Sequence, residues 1–438
     1  MMFEKKCVLV YGFSKSGRAA TELLLKKGAK VLIYDDKEVN GDIPIGARIV
    51  SDLKCAITEA DLIVISPAVP YNHSLLEQAR LAGKQVVGEL ELAYNFCDCG
   101  LIAITGTNGK TTTTLLINEI LNRSGRTSYA LGNIGIPFSE KVLELSQSDT
   151  AVLEVSSFQL ESTKYFSPDI SVILNIAPDH LDRHKNFEEY IAAKSKIFKN
   201  QINRDITILN ADDEIVKQIA LACTSEKFYF STEGKVRGAY IEDGEIFFED
   251  TGKIFIIKVD EVLLKGRHNM ENVLASVVAS IVNGVAPEII RVVLKSFIAP
   301  KYRNEYLGEK QGKRFFNDSK GTNIAATKAS IESMNGNTVL ILGGSEKGEN
   351  FAEFFKNISK KIVHIFVTGG NSPKIIESAI TQGFYNISYR STLVECVRES
   401  ACVHASNVLF SPASASFDNY RDYRERGEVF ARIFSELK

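Results

Sequence analysis

No apolar run in this 438-residue sequence approaches the length of a membrane-spanning helix, and the opening MMFEKKCVLVYG turns into a strand before any secretory hydrophobic region develops. A cytoplasmic protein is expected. An excess of one charge is also lacking: 52 basic against 54 acidic residues leave a formal charge of −2, so neither nucleic acid nor an anionic membrane is expected as partner. The seven cysteines (Cys7, Cys55, Cys97, Cys99, Cys223, Cys396, Cys402) are odd in number, scattered and without a Cys-x-x-Cys, which suits reduced thiols. Cys97 and Cys99 have no matching second pair and read as a loop, not as half a zinc site. Internal repeats and low-complexity tracts are absent. What remains, with 45% hydrophobic and 24% charged residues, is material for two or three ordinary globular domains.

What is present is an alternation of apolar runs with helical patterns. VLVYG, KVLIYDD, DLIVISPA, LIAITG, AVLEVSS, SVILNIAP, TVLILGG and VHIFVTGG have the continuous apolar character of buried parallel strands, so the class is α/β with several βα units. They are too many for one sheet. Breaks are expected around Gly88–Gly100, where ELELAYNF leads into CDCG, and near Ser296–Tyr302. These divide the chain into 1–92, 93–297 and 298–438, each with a mainly parallel sheet. Between Lys227 and Val259, short runs with Glu-Asp-Gly turns predict a small antiparallel sheet.

LIAITGTNGKTTTT at 101–114 carries the sharpest signal. A buried-type strand breaks into a loop where Gly106 and Gly109 free the backbone to turn its amides inward, and such a loop cradles phosphate. Lys110 is placed against the β/γ-phosphates, Thr111 presents a hydroxyl to Mg²⁺, and a helix from Thr112 to Arg123 aims its positive end at the anion. The strict P-loop pattern fails, because only two residues separate the glycines.

The first unit, YGFSKSGRAATELLLKKGAKVLIYDD, resembles a dinucleotide-binding βαβ, with Gly12 and Gly17 in place but Ser14 where the second glycine belongs. That weakens a dehydrogenase cofactor site, while Asp35 and Asp36 keep their ability to accept hydrogen bonds from a nucleotide. Downstream, AVLEVSSFQLE sets Glu154 near the end of one strand and SVILNIAPDHLDRH sets Asp179 and His180 at the end of another. Carboxyl ends of an open parallel sheet are where ligands bind, and a carboxylate and an imidazole beside a triphosphate suggest divalent-metal ligands. His184 reads as a surface residue. In FEEYIAAKSKIF, Lys196 and Lys199 read as solvated.

ITGTNGKTTT, GNIG at 132–135, LEVSSFQLE, LNIAPDHLDRH, YIAAKSKIF, LKGRHNMEN, FNDSKGTN, LGGSEKG and SPASASFDNYRDYRERG follow one another in an order that resembles the Mur ligase family over effectively the whole chain. The resemblance is strongest to the branch that adds D-glutamate to UDP-N-acetylmuramoyl-L-alanine. It implies an ATP-dependent amide ligase of peptidoglycan precursor synthesis, working with Mg²⁺, as two ions, and expected to be a monomer. It also implies residue roles. Gly106, Thr107, Asn108, Gly109, Lys110, Thr111 and Thr112 match the ATP phosphate loop, and Asn269, Asn272, Arg303 and Asp318 match the adenine, ribose and phosphate surroundings. Thr111, Glu154, His180 and Lys194, the last as a carbamate, match the metal site. Lys110, Glu154, His180, Lys194 and Lys320 match the catalytic set. Lys15, Ser16, Asp35, Asp36 and Asn133 match the UDP-sugar site, while Thr322, Lys347, Ser416, Phe417 and Tyr423 match the D-glutamate surroundings. Tyr423 stands where a Phe is usual.

The chemistry of such a reaction agrees with these residue types. Joining a carboxylate to an amine in water is uphill, so ATP must first convert the carboxylate to an acyl phosphate, and positioning with charge neutralisation supplies most of the help. Three other readings remain open. A nucleotide-dependent dehydrogenase would leave GTNGKT idle; a folylpolyglutamate-type ligase shares the ATPase but begins with it; a P-loop switch or binding protein would not be an enzyme.

Overall fold

The computed structural model describes residues 3–39, 42–180, 183–346 and 348–437. The expected α/β class is what the chain adopts, with three sheets. The first contains β1 (Cys7–Tyr11), β2 (Lys30–Tyr34), β3 (Ala47–Ile49), β4 (Leu62–Ile65) and β5 (Gln85–Gly88), all parallel, in the order β3-β2-β1-β4-β5. The second runs β6 (Gly100–Thr105), β7 (Ser128–Gly132), β8 (Thr150–Glu154), β9 (Ile170–Ile173), β10 (Ile206–Asn210), β11 (Glu226–Ser231), β12 (Gly238–Glu242), β13 (Glu245–Glu249) and β14 (Lys253–Lys258). Its order is β14-β13-β12-β11-β10-β9-β6-β8-β7, which puts β6 between two buried parallel neighbours. The third holds β15 (Glu305–Lys310), β16 (Lys313–Asn317), β17 (Thr338–Leu342), β18 (Ile362–Val367), β19 (Ile387–Tyr389) and β20 (Asn407–Phe410), ordered β15-β16-β20-β17-β18-β19. Only β15 runs antiparallel there.

Contacts divide the chain into two compact units. One takes the residues up to Ile176, Asn186–Val262 and Glu271–Ser296, and so holds the first two sheets; the other takes Ala177–Lys185, Leu263–Met270 and the residues from Phe297 onward. Within the first unit one apolar cluster runs from Val8, Val10 and Val64 of the first sheet through Leu90, Leu92 and Phe138 to Leu101, Leu153 and Ile173 of the second. Burial on that scale is what fixes the sheets to each other.

The expected small antiparallel sheet is not a separate sheet. β11 and β12 pair in parallel and extend the second sheet, and only β12, β13 and β14 alternate in direction. Gly238 makes the tight return possible: its φ is +135°, and a Cβ there would stand 1.9 Å from the Tyr229 carbonyl oxygen.

Candidate active site

The loop after β6 is shaped by its two glycines. Gly106 and Gly109 hold φ of +155° and +84°, and a Cβ on Gly109 would stand 2.1 Å from Asn272 Oδ1. No side chain fits there. Asn175, which the sequence reading passed over, holds the loop from the next strand: its carbonyl accepts Thr107 N–H at 2.9 Å, and its Oδ1 accepts Asn108 N–H at 2.8 Å. The helix begins at Lys110, two residues earlier than expected, and runs to Arg123. It buries Leu116, Ile117, Ile120 and Leu121, which recur at helical spacing on one face. Thr112 is buried in its first turn.

Lys110 reaches back over the loop, donating from Nζ to the carbonyls of Gly106 at 2.7 Å and Thr107 at 2.8 Å. Thr111 Oγ1 donates to Glu154 Oε2 at 2.6 Å, and Asn133 Nδ2 donates to Glu154 Oε1 at 2.7 Å. Glu154 is the last residue of β8 and 3% exposed, so two neutral donors address both oxygens of a buried acid. Asn133, expected at the UDP-sugar site, therefore also touches the acid expected at the metal site.

Lys194 lies on the helix Phe187–Ser195, which Asn186 opens by accepting Glu189 N–H at 2.8 Å. It is 1% exposed, and its Nζ donates to Gly106 O at 2.8 Å and sits 4.6 Å from the centre of the Tyr190 ring. Tyr190 in turn shares a 3.0 Å hydrogen bond with Thr107 Oγ1. Their i,i+4 spacing was a readable signal that both face the loop. Lys196 is not solvated as expected: it is partly buried, donates to Glu161 O at 2.5 Å, and burial holds its ammonium below the usual lysine range. Lys199 is exposed.

At the first sheet, Gly12 holds φ of +90° and a Cβ on Gly17 would stand 1.9 Å from Gly12 O, so both glycines are demanded by the turn. Asp35 Oδ2 accepts Phe13 N–H at 2.6 Å and Asp36 accepts the Tyr11 hydroxyl at 2.8 Å. Burial first, then Asp36, pushes the Tyr11 phenol up. Ser16 and Ser14 both approach Ser66, at 3.4 and 3.5 Å, and Lys15 Nζ donates to Gly135 O.

His180 belongs to the second unit. β9 ends at Ile173, so Asp179 and His180 ride on the segment beyond the strand and not at its end as expected. His180 has φ of +56° and its ring nitrogen lies 3.7 Å from Asp179, which also accepts Asn323 Nδ2 at 3.0 Å. His184, expected at the surface, is 3% exposed. Asn272 lies in the first unit against Gly109, whereas Asn269, which donates to Lys265 O at 2.9 Å, lies in the second.

Asp318 directly follows β16 and is buried, with Oδ2 accepting the hydroxyls of Ser330 at 2.7 Å and Ser411 at 2.6 Å. Burial pushes its carboxyl up to about 6, against the pull of those hydroxyls and of Arg303. A folded-state value above the ordinary carboxylate one makes ionisation cost stability as pH rises through that interval. Asp318→Asn removes the ionisation, and the serine hydroxyls can turn to accept from the amide. We expect the variant to unfold later than the parent above pH 6, by up to about 3 kcal/mol, with the gain vanishing below pH 4. Thermal melts across that range check it.

Lys320 places its ammonium 4.3 Å from the centre of the Tyr423 ring, and the Tyr423 carbonyl accepts Ser319 Oγ at 2.8 Å. Ring and backbone are thus both used, and a Phe would keep both contacts. The buried Arg426, a further residue the sequence reading did not single out, donates to Ser414 O and Ala415 O and so shapes the turn that carries Ser416. Phe417 is exposed and its N–H donates to Ser345 Oγ at 3.0 Å; Thr322 N–H donates to Lys320 O at 2.8 Å. Lys347 lies outside the described residues.

Among the described residues no three His, Cys, Asp or Glu stand together as a metal cluster. A magnesium ion held mainly by phosphate and water needs only one or two protein oxygens. The Thr111 hydroxyl and Glu154 carboxylate, both hard donors at the mouth of a loop too tight for side chains, fit that need. No helix among the described residues is long and apolar enough to cross a membrane.

Comparison with known proteins places this geometry. The family described as Mur ligase middle domain matches residues 104–280, and the family described as Mur ligase, glutamate ligase domain matches residues 302–413. The UDP-N-acetylmuramoylalanine--D-glutamate ligase of Koribacter versatilis is 41% identical, with 99% of this chain and 98% of the relative covered. The protein of the same name from Alkaliphilus oremlandii is 37% identical, with 100% of both covered. Among solved structures, MurF ligase from Thermotoga maritima in complex with ADP superposes with a TM-score of 0.62 at 18% identity, covering 99% of this chain and 96% of that one.

Proposed function

Because the chain belongs to the Mur ligase family, we propose that it joins D-glutamate to UDP-N-acetylmuramoyl-L-alanine at the expense of ATP, in peptidoglycan precursor synthesis. The observation that carries the reading is the loop Gly106–Thr111, whose Lys110 folds back onto the Gly106 carbonyl and whose Thr111 donates to a buried Glu154 that also receives Asn133. In this reading residues 1–92 hold the UDP-sugar, 93–297 the ATP and 298–438 the amino acid.

The γ-phosphoryl group passes from ATP to a carboxylate oxygen of the UDP-substrate, giving an acyl phosphate and ADP. The unprotonated amine of D-glutamate then attacks the acyl carbon; the C–N bond forms, the C–O bond to phosphate breaks, and phosphate leaves with the electron pair. Bound Mg²⁺ would neutralise phosphate charge, held through Thr111 and Glu154 with His180 and a carbamylated Lys194. Lys110 neutralises the transferring group and the loop amides orient it. Asn269, Asn272, Arg303 and Asp318 hold the rest of the nucleotide. Lys320, with Thr322, Lys347, Ser416, Phe417 and Tyr423, receives the two carboxylates of the amino acid. Lys15, Ser16, Asp35 and Asp36 hold the uridine nucleotide.

ADP release tests the reading when UDP-muramoyl acceptors are offered with D-Glu, L-Glu, L-Ala, L-Lys and meso-diaminopimelate. The expected result is release that depends on UDP-N-acetylmuramoyl-L-alanine and D-Glu together. Release with any amino acid, or with none, would refute it.

A further inference from the structure

Glu89 and Glu91 are both buried acids on the short helix Glu89–Tyr94 that links the first two sheets, at 2% and 1% exposure. Their surroundings differ. Glu91 accepts three backbone N–H groups, from Lys164, Tyr165 and Phe166, at 2.8 to 3.1 Å. Glu89 Oε1 accepts one, from Ser139 at 2.6 Å, while its Oε2 and the Ser139 hydroxyl are buried and unpartnered among the described residues. The adjoining Leu90, Leu92, Ala93, Phe138 and Val142 belong to a single apolar cluster. A carboxylate with one donor in an apolar seam is costly. A neutral carboxyl is less costly, because it carries no charge into the seam while its Oε1 still accepts Ser139 N–H. Burial, which pushes the Glu89 carboxyl up, acts in the same direction.

We propose that Glu89 works as a neutral carboxyl that positions the loop from Gly132 to Ser139, and through it couples the UDP-sugar site to the acid of the phosphate site. This inference rests on the ligase reading and extends it. Anchored at Ser139, the loop closes on itself through Gly132 N–H to Ile136 O at 2.9 Å. Its Gly135 carbonyl receives Lys15, and its Asn133 binds Glu154 twice, N–H to the carbonyl at 2.9 Å and Nδ2 to Oε1 at 2.7 Å. A few residues therefore join a lysine expected at the sugar to the carboxylate beside Thr111. Glu89 touches no reacting atom; it acts through Asn133.

The test uses the full chain, with KM and kcat from ADP release and the affinity for UDP-N-acetylmuramoyl-L-alanine from calorimetry. Glu89→Gln carries the donor and the acceptor of a neutral carboxyl, so near-parental constants are expected. Glu89→Ala should raise KM for the UDP-substrate and lower kcat, each by about tenfold as for other supporting contacts, with KM for ATP unchanged. A folded Glu89→Ala with parental constants overturns the proposal, as does Glu89→Gln impaired as much as Glu89→Ala. Should Glu89→Ala not fold, Glu89→Met takes its place, filling the seam while leaving Ser139 N–H without its acceptor, with the same split between UDP-substrate and ATP expected and parental constants contradicting it. Failure of the parent protein to release ADP would count against the ligase reading, and the ratio of calorimetric affinities would still report on the loop.

Discussion

Lys110→Ala is expected to keep the fold and to lose about a hundred- to a thousandfold in turnover. Its Nζ donates to two carbonyls of its own loop, Gly106 and Thr107, and so holds a positive charge over a loop that its glycines keep free of side chains. Charge there is worth most when negative charge is being transferred, so the loss should fall on kcat more than on the KM for D-glutamate. Steady-state ADP release together with a circular-dichroism melt checks it. Near-parental turnover in a folded Lys110→Ala protein would sink the phosphate-loop reading.

The second large effect is expected at Lys194. Gly106 O receives Lys194 at 2.8 Å as well as Lys110 at 2.7 Å, which brings two ammonium groups to one carbonyl. Like charges so close repel, and burial penalises an ammonium further. Addition of CO₂ to the neutral amine, with loss of a proton, replaces one cation with an anionic oxygen donor of the hard kind Mg²⁺ accepts. Lys194→Ala should then lose about a hundredfold in activity and regain part of it with short-chain carboxylic acids. The appropriate control is Lys199→Ala, since Lys199 is exposed, whereas Lys196 is partly buried and holds the Glu161 carbonyl. Full activity of Lys194→Ala in CO₂-depleted buffer would mean that the lysine is only a buried cation over Tyr190.

How legible these features were follows from how locally each is determined. The eight apolar runs read as strands because strands buried on both faces need continuous apolar sequence, and each lies in a parallel pair. Between 227 and 259 the antiparallel expectation holds for β12, β13 and β14 and fails only for β11, because alternation gives amphipathicity but not partner; the parallel β11–β12 pair hinges on the backbone freedom of Gly238. His184 and Lys196 were misplaced for a related reason. A polar residue in a loop or late in a helix carries no local mark of burial, and both are covered by tertiary packing. The contacts of Glu154 with Thr111 and Asn133 join three separate segments, so motif order could imply them but spacing could not.

The central claim is that the Gly106–Thr111 loop delivers a phosphoryl group of ATP to a carboxylate of the acceptor. It is tested most directly by preparing UDP-N-acetylmuramoyl-L-alanine with ¹⁸O in its alanyl carboxylate and analysing the phosphate released during ligation to D-glutamate by mass spectrometry. Transfer through an acyl phosphate predicts that each phosphate carries one ¹⁸O taken from the acceptor. Phosphate free of the label, formed at the same rate as the amide, would contradict it.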